Sequence, residues 1–190
     1  MILSICIATM EKRQATLHIL LLHLREQIKK LNAEDQVEIC INMDKGEKPT
    51  GKKRNDLYQN AAGEYVCSVD DDDWVPPYYV EKILKALEGK PDAIGLNGTM
   101  TTNGHSMATW DISLFNPYIT TRLNGRTHYM RFHNHLSPIK KSIVVQHPFP
   151  EIYHGEDYAF ALSMHNKNAI VKEVRIPEPM YLYRYQERKN

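Results

Sequence analysis

Four consecutive aspartates, Asp70 to Asp73, follow the apolar run Tyr65-Val66-Cys67-Ser68-Val69. Side chains in a strand alternate faces, so this run predicts Asp70 and Asp72 on one side and Asp71 and Asp73 on the other. Two like charges about 4 Å apart in an effective dielectric near 20 repel by roughly 4 kcal/mol. A hard divalent cation such as Mn²⁺ or Mg²⁺ removes that repulsion. It favours one or two carboxylates together with the oxygens of a phosphate. The plainer reading is a solvated acidic turn ahead of a helix. A second acidic pair, Glu156-Asp157, follows Gly155 far along the chain. It suits either a proton acceptor or acids at a helix N-terminus, where the macrodipole favours them.

The elements that must position these acids can be read from periodicity. Ile2 to Ala8 reads as a buried strand. Leu17, Leu20, Leu21, Leu24, Ile28 and Leu31 lie on one face of a helix over Ala15 to Leu31. Val37 to Met43 is a second strand ending at Asp44. The Gly/Pro/Lys-rich segment from Lys45 to Lys53 predicts a loop, and Arg54 to Asn60 a short helix. The third strand starts at Tyr65. Pro76-Pro77 opens a helix carrying Val80, Ile83, Leu84 and Leu87, stopped by Gly89. Asp92 to Leu96 is a fourth strand. Alternating strands and helices predict an α/β fold with a mostly parallel sheet, in which ligands bind beyond the carboxyl ends of the strands. Thr9, Asp44 and Asp70 to Asp72 all fall at such ends.

Beyond Gly98 the texture changes to Thr, Asn, Gly and His mixed with aromatics, which predicts irregular strands and hairpins walling the site as far as His135. Pro138 to Val145 suits a helix or a strand equally. Tyr158 to Asn166 reads as a helix, and Ala169 to Arg175 and Met180 to Tyr185 as two closing strands.

The 190 residues fit one domain, with 42% hydrophobic and 25% charged residues and a formal net charge of +1. That balance gives no general electrostatic grip on nucleic acid or membrane. Cys6, Cys40 and Cys67 lie in strand-like runs without metal-type spacing, which suits free thiols in a reducing compartment. No stretch reaches the ~18 apolar residues of a membrane span, and Met1 to Ile7 is too short for a signal core. The expected location is the cytoplasm.

The order of motifs resembles the family 2 glycosyltransferases with the GT-A fold. The resemblance is carried by Leu3-Ser4-Ile5-Cys6-Ile7-Ala8-Thr9, Gly51-Lys52-Lys53-Arg54-Asn55, Ala61-Ala62-Gly63-Glu64-Tyr65-Val66 and Val69-Asp70-Asp71-Asp72-Asp73-Trp74. Gly155-Glu156-Asp157-Tyr158 and Met180-Tyr181-Leu182-Tyr183-Arg184-Tyr185 complete it. It implies a single GT-A domain over 1–190, with 1–97 as the nucleotide-sugar half and 98–190 as the acceptor and catalytic half. It also implies a nucleotide-sugar donor, most often a UDP-sugar, and Mn²⁺ or Mg²⁺. Asp44 would contact the base, with Ala8 and Thr9 lining that pocket and Arg54 close to the nucleotide. Asp70 would hold the ribose or share the metal, Asp72 would bind the metal, and Asp71 groups with the donor-binding residues. Asp157, with Glu156 as the alternative, matches the general base of inverting members, and the acceptor would be a hydroxyl, most simply of a saccharide.

One departure concerns the C-terminal histidine that completes the metal or diphosphate site in many members. The tail here, Arg184 to Asn190, has none, which leaves His154, His147 or Arg184 to serve. Trp74 suits core packing or a sugar platform. His133 and His135 alternate and could face one metal with His128 or His147. Competing functions are a non-catalytic nucleotide-sugar-binding module, glycosylation of modified DNA bases, and a nucleotidyltransferase. DNA would need a basic track built from Lys52, Lys53, Arg54, Arg122, Arg126, Arg131, Lys140 and Lys141. A nucleotidyltransferase would want a glycine-rich loop after the first strand, and Thr9-Met10-Glu11-Lys12-Arg13 has no glycine.

Overall fold

The computed structural model describes residues 1–187. The chain opens on β1 (Leu3–Met10), a 3-10 turn and α1 (Gln14–Lys30), followed by β2 (Val37–Asp44), α2 (Thr50–Asn60), β3 (Tyr65–Ser68) and α3 (Tyr79–Leu87). Four strands come next: β4 (Ala93–Thr102), β5 (His105–Ile112), β6 (Ile119–Leu123) and β7 (Arg126–Arg131). The chain then forms β8 (Ile139–Lys140), the single-turn α4 (Lys141–Val144), α5 (Glu156–Asn166) and β9 (Glu173–Tyr185).

Period-two alternation in β1 and β3 divides the core between the faces of the sheet. Leu3, Ile5, Ile7, Tyr65, Cys67 and Val69 pack with the apolar stripes of α1 and α3. Cys6 and Val66 face the other way, onto Leu57 and Tyr58 of α2 and Phe160 and Met164 of α5. α1 and α3 cover one face with the stripes their sequences predict, and α2 and α5 cover the other.

The strands form one sheet in the order β2-β1-β3-β8-β4-β5-β7-β6, with β9 paired to β4. It is parallel across β2, β1 and β3, where helices make the crossovers. Parallel pairing recurs at β4–β9 and β5–β7, between antiparallel pairs, so the sheet as a whole is mixed. β8 runs antiparallel to β3 and β4, and β4–β5 and β6–β7 are antiparallel hairpins. The physical reason is loop length. Asn103-Gly104 and Asn124-Gly125 both have positive φ, the two-residue hairpin turn that only antiparallel neighbours can share.

Several boundaries differ from the sequence reading: β1 runs on to Met10, α3 opens at Tyr79, β4 continues to Thr102, and three further cases have a clear cause. α2 begins at Thr50 rather than Arg54, so Gly51, Lys52 and Lys53 are helical. Packing overrides the low helix propensity of Gly51, as shown below. Pro138 to Val145 is both things in turn, a two-residue strand and then one helical turn. The two closing strands are one strand, β9, which runs through Pro177 and Pro179 with register shifts on either side of Asn97. There the Asn97 side-chain amide donates to the carbonyls of Ile176, Pro177 and Glu178, serving backbone acceptors that the prolines leave off the ladder. Among the described residues no helix is long and apolar enough to cross a membrane.

Candidate active site

The parallel register brings Met10 beside Asp44 and Cys6 beside Ser68, so the ends of β1, β2 and β3 open on one edge. A cleft of about 1120 Å³ lies there. Ala8, Thr9, Lys53, Arg54 and Asp70 to Asp73 line one part of it. Tyr118, Tyr129, Arg131, Glu156, Asp157 and Tyr183 line another.

The aspartates do not continue the strand. β3 stops at Ser68, and the Asp73 N–H donates to the Asp70 carbonyl at 3.1 Å, closing a turn. The predicted pairing of faces is therefore replaced by four separate environments. Asp70 Oδ1 accepts from Arg54 Nη2 at 2.8 Å, and Oδ2 lies 3.5 Å from His135 Nε2. Asp71 is buried, held by the Thr9 hydroxyl and by Arg13 Nη1 at 2.7 Å. Arg13 Nη1 also reaches Asp72 Oδ2 at 3.1 Å, and the Asp72 side chain is 42% exposed. Asp73 is buried and accepts from the Tyr181 hydroxyl at 2.9 Å and from the Arg184 N–H at 2.7 Å.

Electrostatics follows those surroundings. Burial opposes charge on Asp70, but Arg54 and then His135 outweigh it and hold its carboxyl well below the usual carboxylate range. Burial raises Asp72, and the charges of Asp70 and Asp71 add to the rise against the pull of Arg13. Asp73 is pushed up to about 8, by burial first and then by the charge of Asp70. The repulsion expected from the sequence is thus met largely inside the protein, by two arginines and by a proton on Asp73 at neutral pH.

That proton has a measurable consequence. The folded chain binds it more tightly than the unfolded chain, whose aspartate titrates near 3.8. The Asp73 contribution is complete below that value and is lost as pH rises through about 8. The Tm of the wild type is expected to fall from about pH 6 to about pH 9, and Asp73→Asn to remove most of that fall. Calorimetric scans of both proteins across that range check it.

Ala8 and Thr9 lie in the cleft wall. Asp44 turns to its own loop, accepting from the N–H groups of Gly46 at 3.0 Å and Lys48 at 2.8 Å. Lys53 is buried, and its Nζ donates to the Thr9 carbonyl at 2.7 Å and to Asp44 Oδ1 at 2.8 Å. It ties the ends of β1 and β2 together.

At the other side, Gly155 adopts φ of +80° and caps α5, whose first residues are Glu156 and Asp157. Glu156 is buried against Arg54 Nη1 at 2.5 Å. Asp157 is half-buried in the cleft wall and has no hydrogen bond or ion pair among the described residues. The wall above carries aromatic groups. The Arg131 guanidinium lies over the rings of Tyr118 at 4.4 Å and Tyr129 at 4.9 Å.

The histidines do not converge on one metal. His128 bonds Asp111 at 2.8 Å, His133 bonds Glu173 at 2.7 Å, and His147 bonds Ser163 at 2.9 Å. His154 and Arg184 line the cleft; Arg184 Nε donates to the Asp72 carbonyl at 2.6 Å. Arg188, Lys189 and Asn190 of the tail lie outside the described residues. Trp74 is half-exposed and stacks on His23 of α1 with ring centres 4.4 Å apart. Lys140 pairs with Asp92, and Lys141 caps the carbonyls of Gln59 and Ala61, so neither is free for a basic track.

Sequence reasoning missed Arg13 as part of the site, read Lys53 only as a motif or basic-track residue, and weighed His135 only as a partner of His133 on a metal. Arg13 had a signal, a cation just past the first strand and facing an acidic turn. Lys53 was obscured by placing it in a loop. Only the topology, which sets Ser68 N–H against the His135 carbonyl at 2.6 Å, brings His135 beside Asp70.

The sheet, its flanking helices and the acid-lined cleft at the strand ends are those of the GT-A fold. The chain belongs to glycosyl transferase family 2, whose family model matches residues 22–147. That span includes the aspartate turn and ends before Glu156. The fold is similar to that of S. aureus TarS 1-349 in complex with UDP-GlcNAc, with a TM-score of 0.66 and 17% identity over 100% of this chain and 60% of that one. TarS 1-349 in complex with UDP gives a TM-score of 0.65 at 16% identity, over 97% of this chain and 60% of that one. The chain thus spans about 60% of the length of these solved structures. No curated protein sequence matches it.

Proposed function

We propose that this chain transfers a sugar, with inversion, from a UDP-sugar to an acceptor hydroxyl, most simply that of a saccharide, using Asp157 as the general base. The observation that carries the reading is the shared cleft. It holds an acidic turn suited to a nucleotide diphosphate and, separately, one carboxylate with no partner among the described residues. The uridine nucleotides named for the TarS complexes support a UDP donor.

In this mechanism Asp157 accepts the proton of the acceptor hydroxyl as its oxygen attacks the anomeric carbon. The bond from that carbon to the diphosphate breaks, and UDP leaves with the electron pair. Thr9, Ala8 and Lys53 shape the nucleotide end, and the Arg131–Tyr118–Tyr129 stack walls the acceptor side. Among the described residues no three His, Cys, Asp or Glu side chains form a metal cage. Asp72, 42% exposed at its side chain, with Asp70 beside it, would hold a divalent ion there. When bound, it would supply positive charge against the diphosphate leaving group. The free thiols Cys6, Cys40 and Cys67 support a reducing compartment, the cytoplasm, as the place of work.

The test is turnover of UDP-, GDP- and TDP-sugars with and without Mn²⁺, beside UDP affinity by calorimetry. Mn²⁺-stimulated release of UDP is expected. Tight UDP binding with no turnover of any donor rejects the enzyme in favour of a binding module. Asp72→Ala is expected to remove the Mn²⁺-dependent gain in UDP affinity, and a gain that persists removes Asp72 from the metal site.

A further inference from the structure

Arg54 sits in the middle of the cleft floor, 4% exposed, and touches both halves of the proposed chemistry. Its Nη2 holds Asp70 Oδ1 at 2.8 Å and its Nη1 holds Glu156 Oε1 at 2.5 Å. Its guanidinium carbon lies 5.8 Å from the Phe149 ring centre. The other oxygen of Asp70 faces the His135 imidazole at 3.5 Å, and the ring nitrogens of that buried histidine have no hydrogen-bond partner. A line of groups therefore runs His135–Asp70–Arg54–Glu156, from the turn after β3 to the first residue of α5. The next residue along is Asp157.

We propose that this line is a strut, in which Arg54 and Glu156 are positioning residues that set the distance between the donor's acidic turn and the base Asp157. The assignment rests on the reading of Asp157 as the base. A planar guanidinium can bond two carboxylates at once in fixed directions, and a lysine ammonium at the same place cannot reproduce that span. Arg54, expected from the resemblance to lie close to the nucleotide, has Nη1 and Nη2 bonded to these carboxylates, and its Nε is buried. Its influence on the donor passes through Asp70. A displacement of the base by about 1 Å can cost roughly 10²-fold in rate.

The experiment compares Glu156→Gln, Arg54→Lys and the double variant. Glu156→Gln is expected to lower kcat by about 10²-fold while donor KM and UDP affinity stay within about twofold. Arg54→Lys is expected to lower kcat similarly, and the double variant to fall no further than the worse single one. Glu156→Gln with unchanged kcat, or with UDP affinity lost in step with kcat, overturns the strut. Denaturant unfolding of the same four proteins gives a readout independent of turnover. Coupling of about tenfold or more in the unfolding constant supports the strut, and additive effects reject it. A wild type that turns over no donor yet shows this coupling refutes the proposed function and leaves the strut standing.

Discussion

Asp157→Asn is expected to lower kcat for sugar transfer by about 10³-fold, within the range of general-base contributions, with UDP affinity unchanged. The substitution keeps shape and removes only the proton-accepting charge. Its effect should be confined to the chemical step, because the side chain bonds nothing among the described residues. No ion pair is broken and no buried partner is orphaned, so the protein should fold with a nearly wild-type Tm. Glu156 differs on each count. It is buried, it holds Arg54, and its loss leaves that arginine with one carboxylate fewer. Kinetics with a fixed acceptor, together with calorimetric UDP binding, separate the two residues. Near-normal transfer by Asp157→Asn moves the base elsewhere. A parallel loss of UDP affinity makes Asp157 part of the donor site instead.

Local physics made much of the fold legible. The i, i+3, i+4 stripe of α1 and the alternation in β1 and β3 reflect burial that each segment meets on its own terms, and the helices and strands stand where those patterns put them. Strand direction past Gly98 was less legible, because it depends on whether a connection is a hairpin or a crossover. The two Asn-Gly pairs carried that information. The site divides the same way. Acids at strand ends could be found from the sequence, since β1, β2 and β3 bring Thr9, Asp44 and Asp70 to one edge. Their partners could not. Arg13 lies 58 residues from Asp71, and Glu156 lies 102 residues from Arg54, separations over which no local pattern constrains contact. The charge balance of the aspartate turn is therefore a tertiary property. Composition alone showed repulsion that called for a cation, and the fold answers with guanidinium groups and a proton on Asp73.

The second large effect is expected from Gly51→Ala, at a residue that touches no substrate in the proposed mechanism. Gly51 lies in the first turn of α2, and its N–H donates to the Ile152 carbonyl at 3.2 Å. A Cβ there would stand 1.9 Å from the Pro150 carbonyl oxygen and 3.4 Å from Glu156 Cβ. The first neighbour is backbone, so no rotamer change relieves the clash, and α2 must part from the segment that leads into α5. Overpacking of this kind costs about 3 kcal/mol, the upper end of its usual range. For a chain of this length that is roughly 6–12 °C in Tm. Asn55 bonds the backbone of Phe149 from the same helix, so the displacement also pulls on the contacts that seat Arg54 between Asp70 and Glu156. Transfer should therefore fall even at temperatures where the variant remains folded. Gly125→Ala is the matching control. It has positive φ but open space around the added methyl, so it should cost about 1–2 kcal/mol through backbone conformation alone and leave kcat untouched. Equal losses of activity in the two variants would show that stability, rather than the seating of α2 on the Pro150 segment, governs the rate.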